Sequence, residues 1–387
     1  MTDSRPKTLF LYVQNLLGIG HLRRAAAVAQ AAVADGFEVH FVSGGMPVPH
    51  LDIGGAVLHQ LPPVRAADSL FKVLADENGR EIDDEWRAAR RDTLLDLFEE
   101  IRPDILFTEL FPFGRRQMRF ELLPLLDRAK AADWQPKIVS SMRDILVTKP
   151  RPDRNREIVE TVDRYYDMVL IHGDEAVISL ADTFPMYDEL TPPVRYTGYV
   201  LNPIDTAGNG TGTGTGEVVV SAGGGAVGGD IMRAVARLRP ELPYADRTWR
   251  FVTGPHMPDE AVREIESHAG PGVIVERSRP DLAAIISRAF LSISQAGYNT
   301  LAEVLTAGTA SVVIPYEGGV ETEQRVRADL LAQRGRLAVV PENAMSNEAL
   351  TLAMQQAVAG RDTGISGIDL DGAAGTARIL RALLEPS

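Results

Sequence analysis

Short apolar runs that alternate with helical segments constrain the fold of this chain more than any other feature of its sequence. In the second half these runs lie at residues 217–220, 249–253, 273–276, 290–293, 311–314 and 337–340. Each run has the length of a buried strand, and strands that alternate with helices form parallel sheets through right-handed crossovers. The pattern therefore predicts a doubly wound α/β domain with its ligand crevice at the carboxyl ends of the strands.

The first half of the chain repeats the alternation. Residues 8–13 read as a buried strand, followed by a glycine-containing loop that ends at His21 and by an alanine-rich helix over residues 22–34. Further strands are predicted at residues 37–42, 56–60, 104–108, 137–141 and 168–172, the last of which completes the sheet, and helices at residues 82–101 and 156–166. The sequence thus predicts a second α/β domain ahead of the first.

A repeating Gly-Thr tract over residues 208–216 marks the boundary between the halves. Such a tract cannot pack and behaves as a flexible linker. A chain of 387 residues also fits two domains of about 150 to 200 residues each. We therefore expect an N-terminal domain at residues 1–200, a linker at 201–216, a second domain at 217–370 and a final helix within 371–387.

Composition excludes several classes of function. A formal net charge of −13 argues against nucleic acid as the main partner, because that binding needs a cationic surface. The absence of cysteine excludes disulfides, zinc–thiolate sites and cysteine nucleophiles, and the seven histidines contain no H-x-x-x-H pair. Without a signal peptide or an apolar run of about 18 residues, the sequence predicts a cytoplasmic protein, for which peripheral membrane contact stays open.

Two loops in the second half suit a phosphorylated and hydroxylated ligand. The run at 290–293 enters a small-residue turn at Ala296-Gly297, and Asn299 or Thr300 is the expected N-cap of the next helix. Unpaired N–H groups and the helix dipole at such a terminus favour a phosphate or diphosphate. The run at 311–314 opens a second glycine loop that leads into a polar helix start at residues 321–324. Motifs for other ligands are missing: there is no complete G-x-G-x-x-G fingerprint, no Walker A loop and no G-x-S-x-G elbow.

Residues 294–303 (S-x-A-G-x-x-T-x-x-E) and 315–324 (P-x-x-x-x-x-E-x-E-Q) resemble the nucleotide-sugar site of GT-B glycosyltransferases, nearest to the MurG-like enzymes of glycosyltransferase family 28. The resemblance implies two Rossmann-like domains facing a central cleft. It also implies an inverting transfer of a sugar from a UDP-linked donor to an acceptor hydroxyl, with no metal or other cofactor. The acceptor would be lipid-linked or part of the cell envelope, which places the enzyme on the inner face of a membrane.

The resemblance assigns roles to residues by position. It gives Glu303 to the donor ribose and the pair Glu323 and Gln324 to the donor sugar, with Gly318 and Gly319 beside them. The remaining donor residues that it implies are Gly223, Gly224, Gly225, Arg279, Ser294, Gly297 and Thr300. On the acceptor side it places Gly18, Gly20 and His21 in the loop after the first strand.

His21 and Glu109 are the candidates for the chemical step. A histidine has an unperturbed pKa near 6.5 and suits a general base at neutral pH, while Glu109, at another strand end, is either a rival base or a partner that orients His21. A structural histidine and a structural glutamate are the alternatives. For the leaving diphosphate, the helix N-termini after Gly224 and Gly297 would supply the positive charge.

Basic residues of the first half indicate an anionic acceptor. Residues 143–156 hold five arginines or lysines, beginning with Arg143, against two aspartates. Residues 110–120 interleave aromatic side chains with arginines, beginning with Arg115. This second segment is either a helix entry with aromatics packed inward or an acceptor- or membrane-facing lip, and the first is either an anion site or a solvated ion-paired surface.

Four other functions stay open at this point. A non-hydrolysing sugar-nucleotide epimerase shares the two-domain architecture and would convert the donor without an acceptor. A natural-product glycosyltransferase would use a small-molecule acceptor. A sugar-nucleotide sensor would bind donor without turnover, and a periplasmic-type binding protein would need an export signal.

Overall fold

The computed structural model describes residues 5–16, 19–67, 73–146, 152–201, 212–221, 228–254, 257–268, 270–277, 279, 281–317, 323–335, 337–361 and 368–385. Contacts divide the chain into two units, one made of Met1–Asn202 with Asp369–Ser387 and the other of Pro203–Ile368. Within the described residues, no helix combines the length and the apolar character that a bilayer span needs.

The first unit contains a seven-stranded parallel sheet with the order β3-β2-β1-β6-β7-β8-β9 in its described residues. Its strands are β1 Thr8–Val13, β2 Glu38–Ser43, β3 Val57–Gln60, β6 Ile105–Glu109, β7 Lys137–Arg143, β8 Met168–His172 and β9 Val194–Tyr196, and a small antiparallel pair is formed by β4 Arg65–Ala66 and β5 Leu74–Ala75. The helices are α1 Gly20–Ala34, α2 Asp84–Ile101, α3 Arg119–Ala131 and α4 Pro152–Tyr165.

The second unit contains a six-stranded parallel sheet with the order β12-β11-β10-β13-β14-β15 in its described residues. The strands are β10 Val218–Ser221, β11 Trp249–Thr253, β12 Val273–Arg277, β13 Leu291–Gln295, β14 Ser311–Ile314 and β15 Ala338–Val339. The helices are α5 Gly229–Leu238, α6 Asp259–Ser267, α7 Leu282–Arg288, α8 Tyr298–Ala307, α9 Glu323–Gln333 and α10 Asn347–Ala359.

The central strands of both sheets are buried along their whole length, as in β1, β6 and β13. Continuous apolar runs form such strands because helices cover both faces of a parallel sheet. The chain order reverses between β1 and β6 in the first sheet and between β10 and β13 in the second. At such a point the loops after two neighbouring strands run in opposite directions and leave a crevice between them. Ligands of open α/β sheets bind in this kind of crevice.

Sequence-based boundaries differ from the structure at several elements. The first sheet does not end at β8, since β9 pairs with it in parallel. Strand β7 runs on to Arg143, so this arginine belongs to the strand and not to the loop after it. Helix α4 begins at Pro152 instead of Arg156, and Pro152 fits there because the first helical turn needs no donor from it.

The last helix, α11 Gly372–Leu383, belongs to the first unit and packs on α1. Leu380 is fully buried in the same apolar cluster as Leu22 of α1. Arg381 adds an ion pair with Asp35, with Nε 2.6 Å from Oδ2. The C-terminal segment therefore completes the helical layer on one face of the first sheet.

A buried polar network supports the loop that follows β1. The guanidinium of Arg90 donates to both carboxylate oxygens of Glu121, at 2.7 and 2.9 Å, and to Oε1 of Gln14 at 2.8 Å. It also donates to the carbonyl of Gly44, while Tyr12 donates its hydroxyl to Glu121. The side chains of Arg90 and Glu121 are wholly buried. These hydrogen bonds hold in place the residues that directly follow β1 and β2.

Candidate functional site

His21, Arg24 and Glu109 form a tight cluster at the reversal point of the first sheet. Glu109 is the last residue of β6, and His21 lies in the first turn of α1, directly after the loop that leaves β1. Nδ1 of His21 is 2.7 Å from Oε1 of Glu109, and Nη2 of Arg24 is 2.5 Å from the same oxygen. Side chains of Glu109 and Arg24 are 2% and 3% exposed, whereas that of His21 is 19% exposed. Only the imidazole of this cluster is therefore open to a ligand.

The protonation states of this cluster follow from burial and from its charges. Burial lowers the pKa of His21 to about 4, so the imidazole is neutral at pH 7. Burial works against ionisation of Glu109, but the contacts with His21, Arg24 and Arg115 outweigh it and hold the pKa of this carboxyl well below its usual range. Nη2 of Arg24 also lies 2.9 Å from Nδ1 of His21, but an ionised carboxylate can only accept, so the 2.7 Å contact with Glu109 assigns the proton to Nδ1 and leaves the lone pair on Nε2.

Three further cationic or imidazole side chains surround the cluster. Arg115 and Arg143 lie close enough to repel each other, and Arg115 acts on Glu109. His172, at the end of β8, pairs in register with Arg143 and lies close enough to Arg24 and Glu109 to interact with both charges. Its Nδ1 contacts Oγ1 of Thr197 at 3.0 Å, and burial lowers the pKa of His172 to about 3. The carboxyl edge of this sheet is thus locally positive in an acidic protein, which suits an anionic ligand.

The segment after β6 turns back on itself. Leu110 and Arg115 both adopt left-handed backbone conformations, with φ of 67° and 55°, which are uncommon for such side chains. Gly114 packs so closely that a Cβ atom there would stand 2.7 Å from Leu110. Phe111 and Phe113 are each 2% exposed, so these aromatics pack into the core. They do not form the exposed lip that was one of the two readings of the sequence.

In the second unit, helix α8 begins at the reversal point between β10 and β13. Its N-cap is Gly297, and not Asn299 or Thr300 as the sequence suggested, and no side chain caps it. Thr300 therefore lies in the first turn, and Glu303, partly buried, lies one turn further on the same helix. Because Gly297 has no side chain with which to cap them, the first-turn N–H groups suit a diphosphate.

Three buried polar atoms beside this turn have no hydrogen-bond partner among the residues that the structure describes: Oγ of Ser221, Oγ of Ser294 and Nε2 of Gln295. Ser221 and Ser294 are register partners at the carboxyl ends of β10 and β13, and all three residues are at most 6% exposed. Buried polar atoms without partners are costly, so their grouping marks a place where a ligand supplies the hydrogen bonds. Ser294 was predicted; Ser221 and Gln295 were missed.

Glu323 and Gln324 open helix α9. The side chain of Glu323 is 7% exposed, and its Oε1 accepts from Nη2 of Arg327 at 2.7 Å. The side-chain oxygen of Gln324 accepts from the backbone N–H of Tyr316 at 3.1 Å. With its carbonyl anchored in this way, Gln324 presents its NH₂ group as a donor. The pair thus places a carboxylate next to an amide donor.

Of the predicted site residues not yet discussed, Arg279 and Gly20 lie within the described residues. Arg279 is 30% exposed and makes a bidentate ion pair with Asp281, both distances being 2.8 Å, so a donor phosphate would compete with that carboxylate. Gly20 is the first residue of α1. The remaining predicted residues lie outside the described residues: Gly18, Gly223, Gly224, Gly225, Gly318 and Gly319.

Sequence reasoning also missed Arg24 and His172. Arg24 follows His21 by three residues on α1, so helical spacing alone puts both side chains on one face. His172 ends a buried strand of the same sheet as Glu109. The helical spacing of Arg24 and the strand end at His172 were visible in the sequence. A single histidine or arginine in an apolar stretch is, however, not specific for any ligand.

Known proteins match this chain at two levels. Residues 219–364 match the family model described as glycosyltransferase family 28 C-terminal domain. A UDP-N-acetylglucosamine–N-acetylmuramyl-(pentapeptide) pyrophosphoryl-undecaprenol N-acetylglucosamine transferase from Exiguobacterium sibiricum is 31% identical over 37% of this chain and 39% of its own length. Its counterpart from Sinorhizobium medicae is 26% identical over 95% of this chain and 92% of its own length. In local matches of 29% and 31% identity, the chain covers about two-fifths of the length of each curated relative.

A solved structure shows the likeness of the fold. The crystal structure of Acinetobacter baumannii MurG aligns with a TM-score of 0.62 at 17% identity, over 97% of this chain and 100% of that one. This likeness extends over both units, whereas the family model covers the second unit. Two doubly wound sheets and this likeness show the GT-B fold, and residues 219–364 match the C-terminal domain of glycosyltransferase family 28.

Proposed function

We propose that the protein transfers a sugar from a UDP-linked donor to an acceptor hydroxyl, with inversion at the anomeric carbon. The observation that carries the proposal is the contact of 2.7 Å between His21 and a buried, ionised Glu109. Such a pair leaves Nε2 of a neutral imidazole ready to accept a proton. Side chains that are merely structural have no need of an exposed imidazole over a buried cluster of charges.

The proposed reaction is a single displacement. Nε2 of His21 takes the proton of the acceptor hydroxyl as its oxygen attacks the anomeric carbon, and the bond from that carbon to the diphosphate oxygen breaks. The nucleoside diphosphate leaves with the electron pair. Glu109 accepts a hydrogen bond from Nδ1 throughout and stabilises the imidazolium that forms, as the acid of a catalytic triad does.

Donor binding is assigned to the second unit. The first-turn N–H groups of α8, after Gly297, hold the diphosphate and stabilise its charge as it leaves. Ser221, Ser294 and Gln295 supply hydrogen bonds beside this turn, and Glu303 binds the ribose hydroxyls. Glu323 and Gln324 bind the sugar, because a carboxylate beside an amide donor matches hydroxyl groups that both donate and accept.

The acceptor is proposed to be anionic and lipid-linked. Arg115 puts positive charge beside His21, and Arg143 lies near Arg115, without either being part of the proton transfer. The curated relatives are named for a pyrophosphoryl-undecaprenol substrate, which carries this kind of group. An enzyme with a lipid-linked acceptor would work as a peripheral protein at a bilayer. No metal or other cofactor enters the proposal.

A thermal-shift screen of UDP, UDP-N-acetylglucosamine and other nucleotide sugars tests the donor first. Turnover is then measured as UDP release with and without a lipid-linked acceptor, for wild type, His21→Ala and the control His268→Ala, which removes an exposed histidine of the second unit. We expect acceptor-dependent release in wild type and in the control only. Conversion of the donor sugar without acceptor would instead identify an epimerase, and binding without any turnover would identify a sensor.

A further inference from the structure

Arg327 places a buried positive charge between the two donor loops of the second unit. Its side chain is 1% exposed, and Nη2 is 2.7 Å from Oε1 of Glu323, one turn earlier on α9. The guanidinium also lies over the ring of Tyr298, 5.4 Å from its centroid. Tyr298 is the first residue of α8, and Glu323 is the first residue of α9. One arginine thus connects the starts of both helices.

Burial makes this pair sensitive to the loss of either partner. A carboxylate that is 7% exposed stays ionised at little cost only when a cation and hydrogen bonds compensate it. The N-terminus of α9 favours the negative charge of Glu323, and an acid four residues before an arginine is the favourable order on a helix. The ion pair with Arg327 therefore compensates the buried charge of the Glu323 carboxylate and restricts its direction.

We propose that Arg327 is a positioning residue for recognition of the donor sugar. Nη2 of Arg327 holds the Glu323 carboxylate in one orientation toward the sugar hydroxyls, and the planar guanidinium over Tyr298 sets that orientation relative to the turn that binds the diphosphate. Arg327 itself binds neither the sugar nor the phosphates. The inference rests on the proposed function, since it gives the sugar-binding role to Glu323.

A double-mutant cycle tests this role. The variants are Arg327→Gln, Glu323→Gln, the double variant and Arg327→Lys, with Arg334→Gln as a control that removes an exposed arginine just beyond the same helix. The KM for UDP-N-acetylglucosamine is compared with the Kd for UDP from calorimetry. We expect Arg327→Gln to raise the KM about tenfold or more, with the Kd for UDP within about threefold of wild type, as for loss of one charged hydrogen bond.

The remaining variants separate positioning from general support of the fold. If Arg327 acts through Glu323, the double variant has the KM of Glu323→Gln alone, because the second change has nothing left to disturb. Arg327→Lys, which keeps the charge but lacks the planar guanidinium that lies over Tyr298, lies between wild type and Arg327→Gln. A structural role would instead weaken UDP and the nucleotide sugar alike.

Several outcomes overturn the inference. One is an unchanged KM in Arg327→Gln, another is additive effects in the double variant, and a third is an equal loss of UDP binding. Should Arg327→Gln fail to fold, the neutral double variant and Arg327→Lys decide, and a KM for Arg327→Lys within twofold of wild type overturns the role of the planar guanidinium. Failure of wild type to bind any nucleotide sugar would contradict the proposed function instead.

Discussion

His21 and Glu109 are 88 residues apart in sequence, yet Nδ1 of the one lies 2.7 Å from Oε1 of the other. The reversal of strand order between β1 and β6 brings them together, since the loops after these two strands meet at one edge of the sheet. The contact makes them a hydrogen-bonded pair, and the proposed mechanism gives the role of base to His21 and that of its orienting partner to Glu109. Glu109 is too buried to reach a substrate, whereas the imidazole is partly exposed.

Replacing either member of this pair should slow transfer while donor affinity stays near that of wild type. We expect His21→Ala to lower kcat by about 10² to 10⁴, the usual contribution of a general base. Glu109→Gln should lower it as well, because an amide can no longer hold Nδ1 through an ionised oxygen. Rates come from UDP release and affinity from calorimetry. If the rate of His21→Ala stays within a few-fold of wild type, His21 is not the general base.

The pH profile of the reaction should reflect the burial of His21. Its pKa is lowered to about 4, so the neutral, proton-accepting form already dominates above pH 5. We expect kcat for the wild type to rise between about pH 3 and 5 and to stay level from pH 6 to 8, where an exposed histidine would still titrate. A rise centred near pH 6.5 would mean that the imidazole is solvated during turnover.

Stability should also depend on the two buried histidines. The pKa values of His21 and His172 are lowered to about 4 and about 3, so below pH 6.5 the unfolded chain takes up protons that the folded chain does not. Stability is therefore lost as the pH falls from 6.5, and His21 alone accounts for about 3 kcal/mol once the pH reaches 4. Denaturant midpoints measured from pH 7 to 4 should fall less steeply in His172→Asn than in wild type. The control His268→Asn, at an exposed site, should keep the wild-type slope.

Much of the fold was predictable because its strands are buried on both faces and therefore stand out as short apolar runs. The strand β9 was not, since Val194 and Tyr196 are only partly buried, Arg195 is exposed, and such a run is lacking. At the site, motif spacing indicated Gly297, Glu303 and Gln324. Arg24 and His172 were missed, because their importance depends on contacts with Glu109 that only the folded sheet creates.

Glu303 should control nucleotide affinity. It is the only acid of α8, and it lies one turn beyond Thr300 in a helix whose start is assigned to the diphosphate. Loss of charged hydrogen bonds to the ribose hydroxyls costs about 1.5 to 3 kcal/mol, so Glu303→Ala should weaken UDP binding by about one to two orders of magnitude. Calorimetry with UDP measures this directly. An unchanged Kd would show that the carboxylate does not hold the ribose.

Gln324 should distinguish the nucleotide sugar from free UDP. Its oxygen is held by the N–H of Tyr316, so the NH₂ group is the part available to a sugar oxygen. Gln324→Ala should raise the KM for the nucleotide sugar and leave the Kd for UDP nearly unchanged. Gln324→Glu keeps an acceptor for Tyr316 but lacks the donor, and it should behave like the alanine variant. An equal loss for both ligands would mean that the residue supports the loop and does not contact the sugar.

The Arg90 network should be the most costly single point to break in the first unit. Arg90 donates to Glu121, Gln14 and the Gly44 carbonyl with no exposed surface, so Arg90→Met leaves a buried carboxylate without its cation. Breaking a buried pair in this way costs about 3 to 5 kcal/mol, whereas Arg102→Met, which removes an exposed pair with Asp133, should cost at most about 1 kcal/mol.

Replacing both partners, as in Arg90→Met with Glu121→Leu, should recover part of the loss, because no charge then stays buried alone. Denaturant unfolding of the four proteins measures these differences. Because Gln14 and Gly44 directly follow β1 and β2, Arg90→Met should also lower kcat at temperatures where the variant is folded. A variant that loses stability but keeps the wild-type kcat would show that the network does not position the loop before His21.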